Sequence, residues 1–394
     1  MSQSATSLRI GEALDVIKDM NLLGEEWAEP RELGRRAFQE VLEEHLRVRQ
    51  RVRLEEVKRQ GGQDRRNGSY RRHLLTSLGD IELRIPRTRT FSTQGFLRRY
   101  ARREPELDRV ILTGFVLGLS TRKVGVALQA ILGETVSATT VSRVARSLDA
   151  AVAAFHRRPL SNRYRALVLD GVALSRKTGL GARSKPILVA LGITPEGHKE
   201  ILDFQLAPAE SQHAWEGFLH DLYRRGLTGE GLEILGTDGG SGLLAALLVV
   251  YPHIPLQRCW AHKVRNILNY LRRTDRERAR RDLARIYGAS NRTQARQAAR
   301  RFADRWRDYP RAVACLRRDL DELLTFFRFA DPAWRRTTRT TNAIERRFKE
   351  LRRRTRPMGA FADRTSIERI LYAVFTYENL KEGTLRLFLV TQNS

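Results

Sequence analysis

The stretch that decides the fold is Ala166-Leu167-Val168-Leu169-Asp170-Gly171. Four small or apolar residues run directly into one acidic residue and a glycine, and a continuous apolar run of this length predicts a β-strand buried on both faces. The glycine predicts that the strand ends there. Because a lone carboxylate in such a position is costly to bury, we expect Asp170 to pair with a cation.

The composition favours a polyanionic partner. The chain has 394 residues, enough for two or three domains, and 72 lysines and arginines against 45 acidic residues give a net charge of +27. An anionic membrane surface is the weaker alternative, because the sequence shows no long amphipathic basic helix with an aromatic apolar face. The longest apolar runs, Ile111–Leu119 and Leu243–Tyr251, are too short to span a bilayer. Cys259 and Cys315 cannot build a disulfide framework. We therefore expect nucleic acid as the partner, no membrane, and a reducing compartment such as the cytoplasm or nucleoid.

A long helix is predicted from Pro30 to the glycines that follow Gln60. Its apolar face is predicted from residues at three- and four-residue steps, namely Phe38, Val41, Leu42, His45, Val48 and Val52. A solvated helix or a small coiled-coil seam is favoured over direct DNA contact.

A β-hairpin is predicted around Gly79-Asp80, because Ile81, Leu83 and Ile85 alternate strictly with other residues after it. Two interpretations stay open for Arg71 and Arg72 on the first strand. They contact a DNA backbone, or they are the outer face of an ordinary half-buried hairpin.

Residues 105–156 are predicted to be helical. Ser120 can cap a helix that runs to Ile131, Gly133–Val136 turns the chain, and Ser137 can cap a second helix. Two short helices around such a turn resemble a helix-turn-helix, although any small helical pair with a glycine turn looks similar. In the DNA-binding interpretation, the residues that face bases and phosphates are Thr139, Thr140, Ser142, Arg143 and Arg146.

The pattern changes from helix to strand near Tyr164. Further strands are predicted at Pro186–Ile193, Glu200–Leu206, Leu232–Gly236 and Ile254–Leu256, with a basic loop at Ser175–Lys185 and helices after Ser211 and Ser241. This order of elements predicts an α/β fold with a mixed sheet and helices on its faces.

An all-helical segment follows at residues 271–335, and it predicts a domain inserted into the α/β region. The helix after it contains Glu345 and carries seven cations in the twelve residues from Glu345 to Arg356. That density favours phosphate contact over a merely solvated face. The cations are Arg346, Arg347, Lys349, Arg352, Arg353, Arg354 and Arg356.

Three carboxylates are candidates for one metal site. Asp170 and Asp238 each follow an apolar strand, and open α/β sheets place ligands beyond the carboxyl ends of their strands. Two adjacent carboxylates repel each other unless a divalent cation lies between them, and oxygen-only ligands suit Mg²⁺. Glu345 would complete a site for two metal ions around a phosphodiester. The simpler alternatives are Asp-Gly turns and an ion pair of Glu345 with Lys349.

Cys259 and His262 lie three residues apart and can share a helix face. A zinc site would need two more ligands. Because Cys315 lies far along the chain, we expect no structural zinc site; His262 is predicted to contact a phosphate or to pack in the core.

Four collinear motifs carry a resemblance to a known family. They are Leu169-Asp170-Gly171, Thr237-Asp238-Gly239-Gly240-Ser241-Gly242-Leu243, Gln257-Arg258-Cys259-Trp260-Ala261-His262-Lys263-Val264-Arg265-Asn266 and Thr340-Thr341-Asn342-Ala343-Ile344-Glu345-Arg346. Together they resemble the Mutator-type DDE transposase family of bacterial insertion sequences. The resemblance extends from about the hairpin to beyond Phe361.

The resemblance implies an RNase H-like catalytic core, interrupted by an all-α insertion and preceded by a mainly helical DNA-binding region with a small β-hairpin. It implies a triad of Asp170, Asp238 and Glu345, which binds two Mg²⁺ ions (with Mn²⁺ as a substitute), and an auxiliary role for Cys259, His262 and Asn342. The implied partners are double-stranded DNA, as terminal inverted repeats and as target, and a second copy of the chain. Excision would pass through a DNA circle.

The chain is divided accordingly into six regions. They are 1–60, helical, for dimerisation or DNA binding; 61–104, the basic hairpin; 105–160, helix-turn-helix-like; 161–270 and 337–394, the two parts of the catalytic core; and 271–336, the insertion. The expected activity is DNA cleavage and strand transfer in the bacterial nucleoid. The alternatives are an RNase H-like nuclease or resolvase without strand transfer, and a catalytically silent DNA-binding protein.

Overall fold

The computed structural model describes residues 25–90, 103–116, 119, 121–132, 136–178 and 181–383. The chain divides into two compact units, Met1–Arg146 and Ser147–Ser394. The elements of the first unit are α1 (Glu25–Arg59), β1 (Arg66–Thr76), β2 (Gly79–Thr88), α2 (Pro105–Val116), α3 (Thr121–Leu132) and α4 (Ala138–Ala145).

The second unit contains an α/β part and a run of helices. Its elements are α5 (Leu148–Arg157), β3 (Ala166–Thr178), β4 (Gly181–Ile193), β5 (Lys199–Leu206), α6 (Gln212–Arg224), β6 (Ile234–Thr237), α7 (Ser241–Val250), β7 (Leu256–Arg258), α8 (Trp260–Leu268), α9 (Arg276–Tyr287), α10 (Arg292–Arg305), α11 (Pro310–Arg318), α12 (Leu320–Leu323), α13 (Pro332–Thr338), α14 (Asn342–Thr355) and α15 (Arg364–Lys381).

The predicted hairpin is confirmed. Strands β1 and β2 pair antiparallel up to Thr76↔Gly79, and Ile81, Leu83 and Ile85 are buried on one face. Together with Leu46 of α1 they form a small core. The alternation of apolar residues along β2 therefore fixes which face of the hairpin is covered.

The predicted apolar face of α1 is wrong in part. Four of its six residues are exposed, namely Val41, His45, Val48 and Val52. The face against the hairpin also carries polar side chains: Gln39 and Gln50 donate to carbonyl oxygens of β2 at 2.8 and 2.7 Å, and Glu43 accepts from a backbone N–H of β2 at 2.9 Å. These bonds satisfy backbone groups that an apolar face would leave unpaired.

Helices α2, α3 and α4 share one core, built from Ile111, Val124, Leu128, Val136, Val141 and Val144. The predicted cap of α4 is confirmed, because the Ser137 hydroxyl accepts from the backbone N–H of Thr140 at 3.2 Å. Ser120 and Gly133-Glu134-Thr135 of the predicted helix-turn-helix lie outside the described residues.

The predicted mixed sheet is confirmed, with the strand order β5-β4-β3-β6-β7. Strands β5, β4 and β3 pair antiparallel, whereas β3, β6 and β7 pair parallel. Helices α6 and α7 cover one face, where Trp215, Phe218 and Leu247 pack on Leu167 and Leu169. The continuous apolar run of β3 is buried on both faces, as the sequence indicated.

Strand β3 does not end at Gly171, as the sequence had predicted. It continues to Thr178 and pairs with β4 as far as Thr178↔Gly181, so most of the predicted loop at Ser175–Lys185 is a hairpin. Gly171 pairs with Leu188 inside the strand. A glycine stands here because a neighbouring side chain occupies the space beside it, as described below, and not because the chain turns.

Helices α5 and α15 cover β5. The rings of Phe155 and Phe375 both contact Phe204 of β5. The side chain of Asn379 bonds both backbone groups of Ile201, accepting from its N–H at 2.7 Å and donating to its carbonyl at 3.0 Å. This edge strand is therefore capped by a fully buried amide.

Residues 271–335 are helical, as predicted, and we call α9–α13 the intervening helices. Their core includes Phe302 and Trp306, and the buried Asp282 accepts from the Trp306 indole at 3.1 Å and from Arg305 at 2.9 Å. Within the described part of the chain, no helix is both long and apolar enough to cross a membrane.

Candidate functional site

Two aspartates lie side by side where β3 loses its parallel neighbour. The last parallel pair is Leu169↔Thr237, and the next residues of the two segments are Asp170 and Asp238. Asp170 continues in β3 and is 8% exposed, whereas Asp238 leaves the sheet. The strand order therefore brings together two carboxylates that are far apart in the sequence.

The electrostatic environment of Asp170 disfavours its charge. Burial first, and then the charge of Asp238, raise the pKa of Asp170 from its ordinary 3.8 to about 7. Glu345 adds to this rise, while His262 and the backbone N–H of Gly171, 2.8 Å from Oδ1, oppose it. A cation placed at these carboxylates would stabilise the ionised form.

Asp238 occupies a tight turn after β6. Its Oδ1 accepts from the backbone N–H of Gly240 at 3.0 Å, and Gly239 has a φ of +98°, a conformation that favours glycine. Turn formation, the simpler alternative for both aspartates, therefore applies at Asp238 but is wrong at Asp170.

Glu345 reaches the same region from the first turn of α14, a helix that contacts β3. Its side chain is 34% exposed. The Thr341 hydroxyl lies 3.4 Å from its Oε1, and the backbone N–H of Glu345 donates to the Thr341 carbonyl at 3.1 Å. Asn342 is exposed at the start of this helix.

Cys259 and His262 lie next to Glu345. The buried Sγ of Cys259 accepts from the backbone N–H and the hydroxyl of Thr341 at 3.3 and 3.2 Å. A hydrogen bond with Cys259 raises the pKa of His262 to about 9, although burial opposes it. Burial raises the pKa of the Cys259 thiol, but the hydrogen bonds from His262 and Thr341 outweigh it, so the net change is downward. The pair therefore stabilises the protonated ring of His262 and makes the Cys259 thiol easier to ionise than a free thiol.

The three carboxylates fit hard cations, because they offer only oxygen and their mutual charges raise the pKa of the buried Asp170. Their oxygen atoms do not all lie within 4.8 Å of one another. Among the described residues, the donor atoms of three possible ligands lie within 4.8 Å of one another at Cys259, His262 and Glu345.

Comparison with known proteins decides the family. The family model described as "Transposase, Mutator family" matches residues 15–383. The chain belongs to the Mutator family of transposases. It is 33% identical over 319 residues to the transposase of insertion sequence IS905 from Lactococcus lactis, covering 81% of both chains. It is 34% identical over 324 residues to the ISRM5 transposase of Rhizobium meliloti, covering 81% of this chain and 80% of that one.

A third transposase, of element IS256 in transposon Tn4001 from Staphylococcus aureus, is 32% identical over 317 residues, covering 79% of this chain and 80% of that one. Among solved structures, the Drosophila P element transposase strand transfer complex matches 75% of this chain and 95% of its own at a TM-score of 0.37 and 10% identity.

In this Mutator-family transposase, the residues predicted to contact DNA in α4 share one surface. Thr139, Arg143 and Arg146 are exposed, and Thr140 is half-buried. A surface depression is lined by Ala138, Thr139, Ser142, Arg143 and Arg146. On the hairpin, Arg71 is exposed and lies 3.5 Å from Glu82, and Arg72 is half-buried.

Four of the seven cations predicted to contact phosphate, all of them in α14, divide into two pairs. Arg346 and Arg353 are exposed. Arg347 is 4% exposed and donates to Glu382 at 2.7 Å, and Arg354 is 3% exposed and donates to Glu350 at 2.8 Å. Burial removes the second pair from the surface that a phosphate could reach in this structure; the sequence showed their charge but not the face on which each lies.

Two further residues at the site were missed. The hydroxyl of Thr341 lies within hydrogen-bonding distance of both Cys259 Sγ and Glu345 Oε1. The Glu210 carboxylate lies against β3, so that a Cβ built on Gly171 would come within 2.7 Å of its Oε1. Burial and then the Asp238 charge raise the pKa of Glu210. A glycine inside an apolar strand is a known sign of such close approach, and this was the signal available in the sequence.

Proposed function

We propose that this transposase binds the terminal inverted repeats of its insertion sequence, cleaves DNA strands at the element ends, and joins the freed 3′-OH to another phosphodiester. The observation that carries the proposal is the buried Asp170 beside Asp238, with the charge of Glu345 acting on Asp170 from a third element. A buried carboxylate beside two others of like charge is unfavourable by itself, and such groups with raised pKa values cluster at catalytic sites.

Asp170, Asp238 and Glu345 would hold two Mg²⁺ ions, for which Mn²⁺ substitutes. When bound, such ions supply positive charge at the attacking and leaving oxygens of a phosphodiester. The chain itself orients the ligands: the Gly171 N–H holds Asp170, the Gly240 N–H holds Asp238, and the Thr341 hydroxyl lies beside Glu345.

We further propose that the mixed sheet with α14 and α15 is an RNase H-like core and that the intervening helices are its insertion. The exposed Thr139, Arg143 and Arg146 of α4 would contact the terminal repeats, with base readout near the start of the helix and phosphate contact by the arginines. The net charge of +27 supports a nucleic-acid partner. The working form would be a homodimer on DNA in the bacterial nucleoid.

The test is a set of three isosteric substitutions, Asp170→Asn, Asp238→Asn and Glu345→Gln. Each should abolish Mg²⁺-dependent cleavage of element-end DNA while the affinity for that DNA stays within about twofold. Glu230→Gln on an exposed loop is the matched control and should cleave normally. Full cleavage by any of the three variants would remove that residue from the triad.

The alternative enzyme is a nuclease or resolvase without strand transfer. Pre-cleaved ends with a free 3′-OH, mixed with target DNA, separate the two functions. Joined products support the transposase, whereas cleavage without joining supports the nuclease. DNA binding with neither activity would support a catalytically silent DNA-binding protein.

A further inference from the structure

Three different ligand types meet beside the carboxylate site. Cys259 offers sulfur, His262 offers nitrogen and Glu345 offers oxygen, and their donor atoms lie within 4.8 Å of one another. His262 Nδ1 lies 3.5 Å from Glu345 Oε1. Such a mixed set differs in chemistry from the oxygen-only aspartates, because sulfur and imidazole prefer softer metals than Mg²⁺.

The fold holds these groups in place. Cys259 is the residue before α8 and His262 lies in the first turn of that helix, so both face the same side. The Cys259 N–H donates to the Thr237 carbonyl at 2.8 Å, which ties it to the end of β6, and the N–H and hydroxyl of Thr341 donate to its sulfur. Glu345 is one turn further along α14 from Thr341. The cluster is therefore formed before any ligand arrives.

An unsatisfied atom points to a ligand. His262 Nδ1 is buried from solvent and makes no hydrogen bond in its present geometry; its neighbour is Glu345 Oε1 at 3.5 Å, which pairs with it by charge only while the ring is protonated. A buried polar atom of this kind is costly unless it is paired. The side chains of His262 and Glu345 are 23% and 34% exposed, so the cluster is open to solvent on one side.

We propose that Cys259, His262 and Glu345 form a binding site for a soft divalent cation of the zinc class, with water as the fourth ligand. Zinc bonds of roughly 2.0–2.3 Å in a tetrahedron place neighbouring ligand atoms roughly 3.3–3.6 Å apart. The nitrogen-to-oxygen distance of 3.5 Å already falls in that range. The sequence offered two ligands for zinc; the fold supplies the third from a residue 83 positions after His262.

A functional consequence rests on the proposed function. Glu345 would be shared between a soft site and the carboxylate site, so a zinc-class ion would draw it away from Asp170 and Asp238. Zinc binds a mixed nitrogen and sulfur site far more tightly than Mg²⁺ does. Low concentrations of Zn²⁺ should therefore inhibit cleavage in the presence of excess Mg²⁺.

The test uses Co²⁺ as a spectroscopic substitute on the full-length, DNA-free protein in a non-chelating reductant. We expect a near-ultraviolet thiolate-to-cobalt band with the intense visible bands of tetrahedral Co²⁺, saturating at one ion per chain and removed by Zn²⁺. Cys259→Ser should lose the thiolate band, and Glu345→Gln should weaken Co²⁺ binding by at least about tenfold. The matched control is Cys315→Ser, which alters the other cysteine of the chain and should keep the band.

Circular dichroism establishes that each variant is folded. If Cys259→Ser does not fold, His262→Asn takes its place as the variant that should weaken Co²⁺ binding. A protein without the thiolate band, or a band that is lost with Cys315 and kept without Cys259, overturns the proposal. This outcome leaves the triad untouched, because no DNA or Mg²⁺ enters the measurement. Zinc inhibition of cleavage that is equal in wild type and Cys259→Ser would overturn the inhibitory consequence alone.

Discussion

Asp170→Asn should stabilise the metal-free protein, and the gain should grow with pH. The folded state raises the pKa of Asp170 from 3.8 to about 7, so it binds a proton more tightly than the unfolded state does. Between these two values the folded state carries more protons, and its free energy of unfolding falls as the pH rises. Asparagine stays neutral and can still accept from the Gly171 N–H, so the variant avoids this loss.

The magnitude follows from the two pKa values. At 1.36 kcal/mol for each tenfold change in proton affinity, the wild type is less stable than a protein with a permanently neutral residue 170 by about 2 kcal/mol at pH 5 and about 4 kcal/mol at pH 8. Since the residue is 8% exposed, solvent screening reduces this little. The midpoint of thermal unfolding of the second unit should rise on the order of 10 °C at pH 8.

The assay is thermal and urea unfolding of both proteins in EDTA at pH 5 and pH 8, repeated with Mg²⁺. Added Mg²⁺ should stabilise the wild type and not the variant, because it binds the ionised carboxylates. The control is Asp304→Asn on the exposed side of α10, which should change stability by less than about 0.5 kcal/mol. If Asp170→Asn gains nothing over the wild type at pH 8, the reasoning that burial and Asp238 oppose its charge is refuted.

Three other substitutions test separate parts of the structure. Thr341→Val removes the hydroxyl beside Glu345 and should slow DNA cleavage on the order of tenfold, with Thr341→Ser restoring the rate; equal rates in all three proteins would show that the hydroxyl is not needed. Asn379→Leu leaves the Ile201 N–H unpaired and its carbonyl with only the long 3.5 Å bond from Arg158; it should cost about 2–4 kcal/mol in urea unfolding, and a loss below the error of that measurement would contradict this account. Arg143→Ala should weaken binding to element-end DNA and lower the slope of log affinity against log salt by about 1 in fluorescence anisotropy, and an unchanged slope would argue against a phosphate contact there.

The parts of the fold that the sequence predicted are those with strong local patterns. The buried run Ala166–Leu169, the alternation along β2 and the cap at Ser137 each follow from residues close together in the chain, and all three are confirmed. The order of strands and helices then predicted a mixed sheet. That sheet explains why Asp170 and Asp238, far apart along the chain, become neighbours.

What the sequence did not predict depends on contacts between distant segments. Strand β3 continues past Gly171 because β4 pairs with it, and residue 171 is a glycine because Glu210 occupies the space where a side chain would lie; neither contact is visible locally. Arg347 is buried with Glu382, a partner beyond α14, whereas Arg354 is buried because it lies on the covered face of its own helix beside Glu350. Charge density along α14 could not distinguish a structural arginine from an exposed one.

The sharing of Thr341 between Cys259 and Glu345 had no signal in composition or spacing, because 82 residues separate Cys259 from Thr341. Motif resemblance gave Cys259 and His262 as an auxiliary pair without a partner. Only the return of the chain at the start of α14 shows that they adjoin the glutamate.

The intervening helices begin and end at one point of the α/β part. The backbone N–H of Trp260 donates to the carbonyl of Arg339 at 3.0 Å, so the chain leaves and comes back through a closed neck. When such a neck is already joined, doubling the length of the excursion adds only about 0.6 kcal/mol of closure entropy. Relatives could therefore lengthen or shorten the solvent-facing part of this excursion during evolution while the glutamate keeps its place, provided that the segment Leu323–Phe326, which bonds to Gln257 and Trp260, is retained.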